Sequence, residues 1–221
     1  MSSSTSYRLS GIALLSGSIL SVVYYVTQAF SSDTDVKALT SSLFLTSSII
    51  GFLGGLLVLL GLPGVYTRQA KQAGILGLLG FLSLAYVTLM QGVLIPFTSI
   101  TIQSFLAGST NPAIQALATS APPAMDPFFF LSLVAQILGS LLFVIATLRA
   151  RIFPRWPSWL LIATLVAGFL SFLPFFPHAL GNLAPVLTYI ALAGFGYFLL
   201  ASGSSTTVQS TPVSVGAEAR S

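Results

Sequence analysis

Long apolar runs alternate with short polar breaks along the whole chain. No charged residue or histidine interrupts a run, and each run approaches or exceeds the ~20 residues with which a helix crosses ~30 Å of hydrocarbon. The short alternation typical of outer-membrane barrel strands is missing from the sequence. The pattern therefore predicts an all-α polytopic bundle of six transmembrane helices, near residues 9–30, 38–62, 73–96, 127–149, 157–177 and 184–202.

Prolines and glycines mark the expected helix ends. Pro63 and Gly64 predict the end of span two, and residues 65–74 then form a polar helical lead-in to span three. Pro96 is expected to stop or kink span three. Asp126 is expected to be the N-cap of span four, with Pro127 in its first turn. Pro157 is expected to open span five, and Asn182 with Pro185 is expected to open span six.

The sequence predicts one membrane domain and a tail. Residues 1–203 form the six-helix domain, and residues 204–221, rich in Ser and Thr, form a mobile cytoplasmic tail. The longest connection, residues 97–126, is expected outside the membrane, with a short helix starting at Asn111 and Pro112. Span one is expected to remain in the mature chain.

Charge sets the expected topology. Only 5% of the residues are charged and 55% are hydrophobic, whereas about a quarter of the residues of a soluble domain are charged. Lys37 is the one basic residue on the predicted outer side, so the positive-inside rule places both chain ends inside. Scattered basic residues of this kind also argue against nucleic acid as a partner. The residues on the inner side are Arg8, Arg68, Lys71, Arg149, Arg151, Arg155 and Arg220.

Residues that usually carry chemistry are scarce. With no cysteine there is no disulfide or thiolate metal site, and His178 is the single histidine, whereas a zinc site takes three or four ligands. The spans hold no carboxylate that could relay a proton. We therefore expect no metal, no cofactor and no enzymatic activity. A membrane enzyme, the least favoured alternative, would need Asp126 and His178 to converge.

The tripeptide Asn111-Pro112-Ala113 copies the motif of aquaporins. Aquaporins carry two copies, on half-helices after spans two and five, whereas this chain has one copy after span three. The context therefore argues against a water channel.

Small residues recur at helical spacing in spans two and three. Helices in lipid associate by close backbone contact at such residues, so these faces are expected to pack against neighbouring helices. Packing within the chain is the preferred interpretation, and a homo-oligomer interface is the alternative. The residues are Ser47, Gly51, Gly55, Gly74, Gly77 and Gly80.

Among the polar residues of the predicted spans, Gln136 lies near the middle of span four, whereas Gln28, Gln91, Tyr86 and several Ser or Thr lie nearer the span ends. Tyr86, Gln91 and Gln136 are the three candidates for a role beyond packing. A central glutamine can cross-link helices through side-chain hydrogen bonds, each worth roughly 0.6 kcal/mol in a membrane protein. This structural role is the preferred interpretation of Gln136. The alternative is that the three residues line a cavity for an uncharged ligand.

A basic and aromatic cluster is expected at the cytoplasmic boundary. Tryptophan and arginine at this level anchor helix ends and meet anionic headgroups, so the lipid bilayer is the expected partner. A site for a specific lipid or a membrane-protein partner is the alternative. The cluster comprises Arg149, Arg151, Arg155, Trp156 and Trp159.

The strings LPGVYTRQA (62–70) and RARIFPRW (149–156) resemble the two cytoplasmic turns of uncharacterised small polytopic membrane proteins of bacteria. The resemblance covers roughly residues 7–200 and implies a multi-pass protein of the bacterial plasma membrane, without implying an activity. The sequence thus favours a non-enzymatic membrane protein that acts through helix packing, lipid contact or partner association. A passive permease or channel for a small uncharged or apolar solute is the alternative.

Overall fold

The computed structural model describes residues 3–30, 36–118, 123–170 and 184–203, and these ranges contain helices and turns but no strand. This confirms the predicted all-α class for the described residues. The longer helices are α1 (Ser3–Ala29), α3 (Ser42–Val87), α7 (Asp126–Ala150), α8 (Arg155–Leu170) and α9 (Ala184–Gly203). The shorter helices are α2 (Val36–Leu39), α4 (Ile95–Thr98), α5 (Ser104–Ala107) and α6 (Pro112–Ala118).

Helix α3 folds back on itself at Gly74. This glycine has φ 57° and ψ −149°, a conformation outside the helical region. Tyr66 and Phe81, on either side of it, stack with ring centroids 5.1 Å apart. Residues 42–73 therefore form one arm of a hairpin, the first arm. The second arm, residues 75–107, continues from α3 through α4 and α5, with π-helical turns at Thr88–Leu94 and Ser99–Gln103.

Four helical stretches are long and apolar enough to cross a membrane. One of them contains the whole α3 hairpin, and α8 is a shorter apolar helix. Large apolar side chains cover much of the outer surface, which suits a membrane-embedded protein because lipid solvates them. The stretches are Thr5–Ala29, Ser42–Ala107, Asp126–Ala150 and Ala184–Ala201.

The long helices pack as antiparallel neighbours. Helix α1 lies between the first arm and α9, with Leu14 against Gly61 and Gly11 against Leu200. The second arm packs along α7, where Gly139 meets Ser83. Helix α8 lies along α9, with Trp156 and Pro157 against Gly194.

Small residues of the first arm lie at its closest contacts. Ser47 is buried, and a Cβ on Gly51 would overlap the ring of Tyr24. A Cβ on Gly55 would overlap the carbonyl of Gly92 on the second arm. Because backbone meets backbone there, only glycine fits between the arms.

The small residues of the second arm have two different roles. A Cβ on Gly80 would lie 2.7 Å from Cα of Phe143, and one on Gly77 would lie 3.6 Å from Cβ of Ala146, so both glycines pack against α7. The prediction that Gly74 belongs to this packing face is wrong. Apart from its chain neighbours, no described residue places an atom within 4 Å of its Cβ position, because Gly74 forms the exposed hairpin turn.

The bundle has two chemically different ends. The basic end holds the hairpin turn at Gly74 and the turn between α7 and α8, where Arg151 takes a left-handed conformation with φ 53°. Helix α1 starts there too, since the Arg68 guanidinium lies over the Tyr7 ring, 6.0 Å from its centroid. The opposite, loop end holds α2, α5 and α6, which contact one another. Lys37 lies in α2, at the loop end.

The core near the basic end is closely packed. The Phe195 ring makes edge contacts with Phe143 at 5.6 Å and with Phe153 at 5.2 Å between centroids. Phe143 and Phe195 are fully buried, together with Leu14, Val58, Val65, Leu161 and Leu199. This cluster closes the centre of the bundle on that side.

The prediction that Pro63 and Gly64 end span two is wrong. The first arm passes through both residues, and the polar stretch after them extends this arm instead of leading into the next one. The Pro63 ring is exposed on the outside of the helix. The Thr67 hydroxyl reinforces the following turn by donating to the carbonyl oxygens of Pro63 at 2.9 Å and Gly64 at 3.2 Å.

Pro96 likewise does not end the second arm. Ile95 N donates to Met90 O in the wider π-helical pattern, so Pro96, without an N–H, leaves Gln91 O without its partner in that pattern. The Tyr25 hydroxyl of α1 donates to this oxygen at 3.1 Å. A side chain from another helix thus compensates for the proline, as membrane interiors require.

The predicted outside loop is shorter than expected. Residues 97–107 belong to the second arm, and the predicted short helix is α6, Pro112–Ala118. Asp126 is the first residue of α7 and Met125 holds the cap position, so the predicted N-cap role of Asp126 is wrong. The predicted end of span five, Asn182, His178 and the tail 204–221 lie outside the described residues.

Candidate ligand cavity

Three adjoining chambers open inside the loop half of the bundle. The first, the deep chamber, has a volume of about 230 Å³ and lies between the second arm, α7, α8 and α9. Its polar side chains come from all four of these helices. They are Thr88, Gln91, Gln136, Thr164, Thr188 and Tyr189.

The second, the aromatic chamber, is the largest at about 600 Å³ and lies between α1, the second arm and α7. Gln91, Leu133 and Gln136 line both this chamber and the deep chamber, so they form a shared boundary. The remaining wall is mostly apolar and includes Tyr24, Tyr25, Met90, Leu94, Met125, Phe128, Phe129 and Ser132.

The third, the outer chamber, has a volume of about 300 Å³ and shares Tyr24, Tyr25 and Ile95 with the aromatic chamber. It carries the amides of Gln28 and Gln103 near the loop end. Polar groups therefore lie on both sides of the largely apolar aromatic chamber.

Tyrosines separate the chambers. Tyr25 stacks on Tyr189 with centroids 5.3 Å apart and planes at 25°, and it meets Tyr24 edge-on at 4.9 Å. Tyr25 also donates the hydrogen bond to Gln91 O that compensates for Pro96. The residue that stabilises the irregular second arm therefore also shapes the cavity wall.

The polar groups of the deep chamber are incompletely paired. Gln136 Nε2 donates to Ser140 Oγ at 3.1 Å within α7, and the Thr188 and Thr164 hydroxyls pair at 3.2 Å across two helices. The Gln91 side-chain amide has no hydrogen-bond partner among the described residues. Amides and hydroxyls of this kind can both donate to and accept from a ligand.

No charged residue lines any of the three chambers within the described part of the chain. Burying an ionised group without a partner is costly, so this cavity favours an uncharged occupant. A mostly apolar wall with a few convergent polar groups is typical of small-molecule sites, which commonly measure roughly 300–1,000 Å³.

The three predicted cavity residues are placed differently. Gln91 and Gln136 lie on the boundary between two chambers, whereas Tyr86 lines none of the three. The Tyr86 hydroxyl is buried and has no hydrogen-bond partner among the described residues. Sequence reasoning did not single out Tyr189 or the paired Tyr24 and Tyr25. The feature of the sequence that could have identified them is that each is a tyrosine within a long apolar run.

The predicted anchoring cluster is exposed at the basic end. Arg149, Arg151 and Arg155 face outward, as do Trp156 and Trp159, which are 45% and 59% exposed. The Trp156 ring also contacts Phe198 of α9, with centroids 6.3 Å apart.

The other candidate functional residues do not form a site with one another in the described part of the chain. Among the described residues no three His, Cys, Asp or Glu side chains come together as a metal site would require. Asp126 is exposed at the start of α7. Asn111 Oδ1 accepts from Ala113 N at 3.0 Å and so caps the seven-residue helix α6.

The chain has no match among protein-family models, curated proteins or solved structures.

Proposed function

We propose that this chain is a non-enzymatic membrane protein that binds a small uncharged molecule in the cavity of its loop half. The boundary formed by Gln91 and Gln136 carries this proposal, because two amides face charge-free chambers with open volume beside them. The sequence alone favours action through helix packing, lipid contact or partner association. The cavity instead supports the alternative, in which the protein takes up a small uncharged solute. The packed Phe143, Phe153 and Phe195 cluster closes the basic side, which favours binding over open passage.

The proposed setting is the plasma membrane of a bacterium, with six crossings and both chain ends in the cytoplasm. Its support is the gathering of the described basic residues, except Lys37, at one end of the bundle, the asymmetry on which the positive-inside rule depends. The resemblance of the two basic turns to those of bacterial polytopic proteins also favours this setting.

Single cysteines test the topology, because the chain contains none of its own. Thr110→Cys, exposed at the loop end, is expected to react with a membrane-impermeant maleimide in intact bacterial cells. Gln72→Cys, exposed beside the Gly74 turn, is expected to react only after the membrane is permeabilised. Labelling in the opposite pattern would place the basic end outside and overturn the topology.

Gln136→Leu tests ligand binding. The protein purified in mild detergent is expected to retain an uncharged small molecule, detected by mass spectrometry of the extracted sample. The variant is expected to retain about tenfold less, because losing one or two hydrogen bonds to a buried ligand group costs roughly that much affinity.

Ser140→Ala is the matched control. It removes the same Gln136–Ser140 hydrogen bond but changes no residue of the chamber walls, so the retained ligand is expected to remain at the wild-type level. Equal retention by wild type and Gln136→Leu, or a retained compound carrying net charge, would contradict the proposed function.

A further inference from the structure

The aromatic chamber has an apolar opening on the side of the bundle. At its rim, Phe128 and Phe129 are 51% and 47% exposed, and Met125, Leu94 and Ile95 are also exposed. Large apolar side chains around an opening would be poorly placed in water, and they suit contact with hydrocarbon. An opening of this kind, between α7 and the second arm, suits entry from the interior of the bilayer.

The two chambers that share Gln91 and Gln136 differ in polarity. The aromatic chamber is largely apolar, and Met90 supplies an adaptable side chain inside it. The deep chamber, on the other side of Gln91, Leu133 and Gln136, collects hydroxyls and the amides of Gln91 and Gln136. An occupant that satisfies both chambers has a small polar group and a longer apolar part.

We infer that the ligand is an uncharged single-chain membrane lipid that enters sideways from the bilayer. Its apolar chain occupies the aromatic chamber, and its hydroxyl or ester oxygens meet Gln91 and Gln136 in the deep chamber. An ionised headgroup does not fit, because no charged side chain of the described residues lines either chamber. This inference rests on the proposed function and adds the chemical class of the ligand and its route of entry.

A photoreactive monoacylglycerol with a diazirine in its acyl chain tests the inference. The full chain is reconstituted in phosphatidylcholine nanodiscs, irradiated with the probe and digested for mass spectrometry. Crosslinks are expected at residues 125–133 and 90–98, the two segments that form the opening. Excess unlabelled monoacylglycerol is expected to suppress them. Crosslinks spread evenly over the exposed apolar surface, without competition, would overturn the inference.

Ser132→Phe and Leu131→Phe form a matched pair. Ser132 is buried in the aromatic chamber wall, so a phenyl group there fills space needed by the chain. Crosslinking in the chamber is expected to fall about tenfold, the change that accompanies loss of about two buried methylenes. Leu131 is exposed on the same helix and lines none of the chambers, so its variant is expected to label as wild type does. Equal labelling of both variants would contradict the assigned position.

A charged probe tests the uncharged headgroup, and comparing crosslinking with ligand retention separates this inference from the proposed function. A fatty acid anion with the same diazirine chain is expected to label the chamber several-fold less than the monoacylglycerol, and equal labelling would contradict an uncharged headgroup. If wild type retains a small uncharged compound that depends on Gln136 while chamber crosslinks are missing, the lipid inference fails and the proposed function stands. If neither is observed, both fail.

Discussion

Gly55→Ala is expected to lower the free energy of unfolding by about 3 kcal/mol, the upper part of the range for overpacked interiors. The added methyl group would overlap the carbonyl of Gly92, which is backbone and cannot rotate away as a side chain could. Relief therefore requires the two arms of the hairpin to separate, and contacts along both arms weaken together. Equilibrium unfolding in a detergent titrated with SDS, followed by the fluorescence of Trp156 and Trp159, measures the change.

Gly168→Ala is the control for this substitution. Gly168 lies in α8, and among the described residues no atom outside its own helical backbone comes within 4 Å of its Cβ position. Alanine there is expected to be neutral or to stabilise the protein by about 0.5–1 kcal/mol through helix propensity. If both variants unfold at the same SDS fraction, the close approach of Gly55 and Gly92 does not contribute to stability.

Hydropathy located the later helices well because charge and proline coincide with their ends. The predicted span at residues 127–149 corresponds to α7, Asp126–Ala150. The predicted span at residues 184–202 corresponds to α9, Ala184–Gly203. Sequence periodicity also identified Gly55 and Gly80 as packing positions. In each case the signal is local to the helix, since it depends on residues a few positions apart.

The two prolines show where local signals fail. Pro63 and Pro96 read as helix ends because each removes a backbone donor. The structure continues through both, and at Pro96 the compensating hydroxyl comes from Tyr25, 71 positions earlier in the chain. A partner at such distance depends on how α1 packs against the second arm, which the sequence around Pro96 does not contain.

The cavity could be predicted only in part, because some of its residues carry a signal in the local sequence and others do not. Gln91 and Gln136 stood out because amides are rare within apolar runs, and both line the chambers. Tyr86 stood out equally, but its position on the second arm turns it away from all three chambers. Tyr25 and Tyr189 were missed because their stacked pair forms only when α1 and α9 meet.

Gly74→Ala is expected to lower the free energy of unfolding by about 2 kcal/mol for a conformational reason alone. With φ 57° and ψ −149°, Gly74 lies close to a region that is essentially restricted to glycine, where other residues carry a strain of about 1–3 kcal/mol. Steric contact with packed neighbours does not contribute, since no atom from elsewhere in the described part of the chain lies within 4 Å of the Cβ position. The same SDS titration measures the effect.

Gly168→Ala again provides the comparison, because it adds the same methyl group in equally open space on a helical backbone. The difference between the two alanine variants therefore isolates the backbone conformation of the hairpin turn. Gly74→Asn tests whether the turn needs glycine itself or only a left-handed residue. Asparagine tolerates the left-handed helical region, but a ψ of −149° lies outside that region. We expect Gly74→Asn to be destabilised about as much as Gly74→Ala. Recovery of wild-type stability by asparagine would show that the turn relaxes to a left-handed conformation, and stability of Gly74→Ala equal to that of Gly168→Ala would contradict the strained turn altogether.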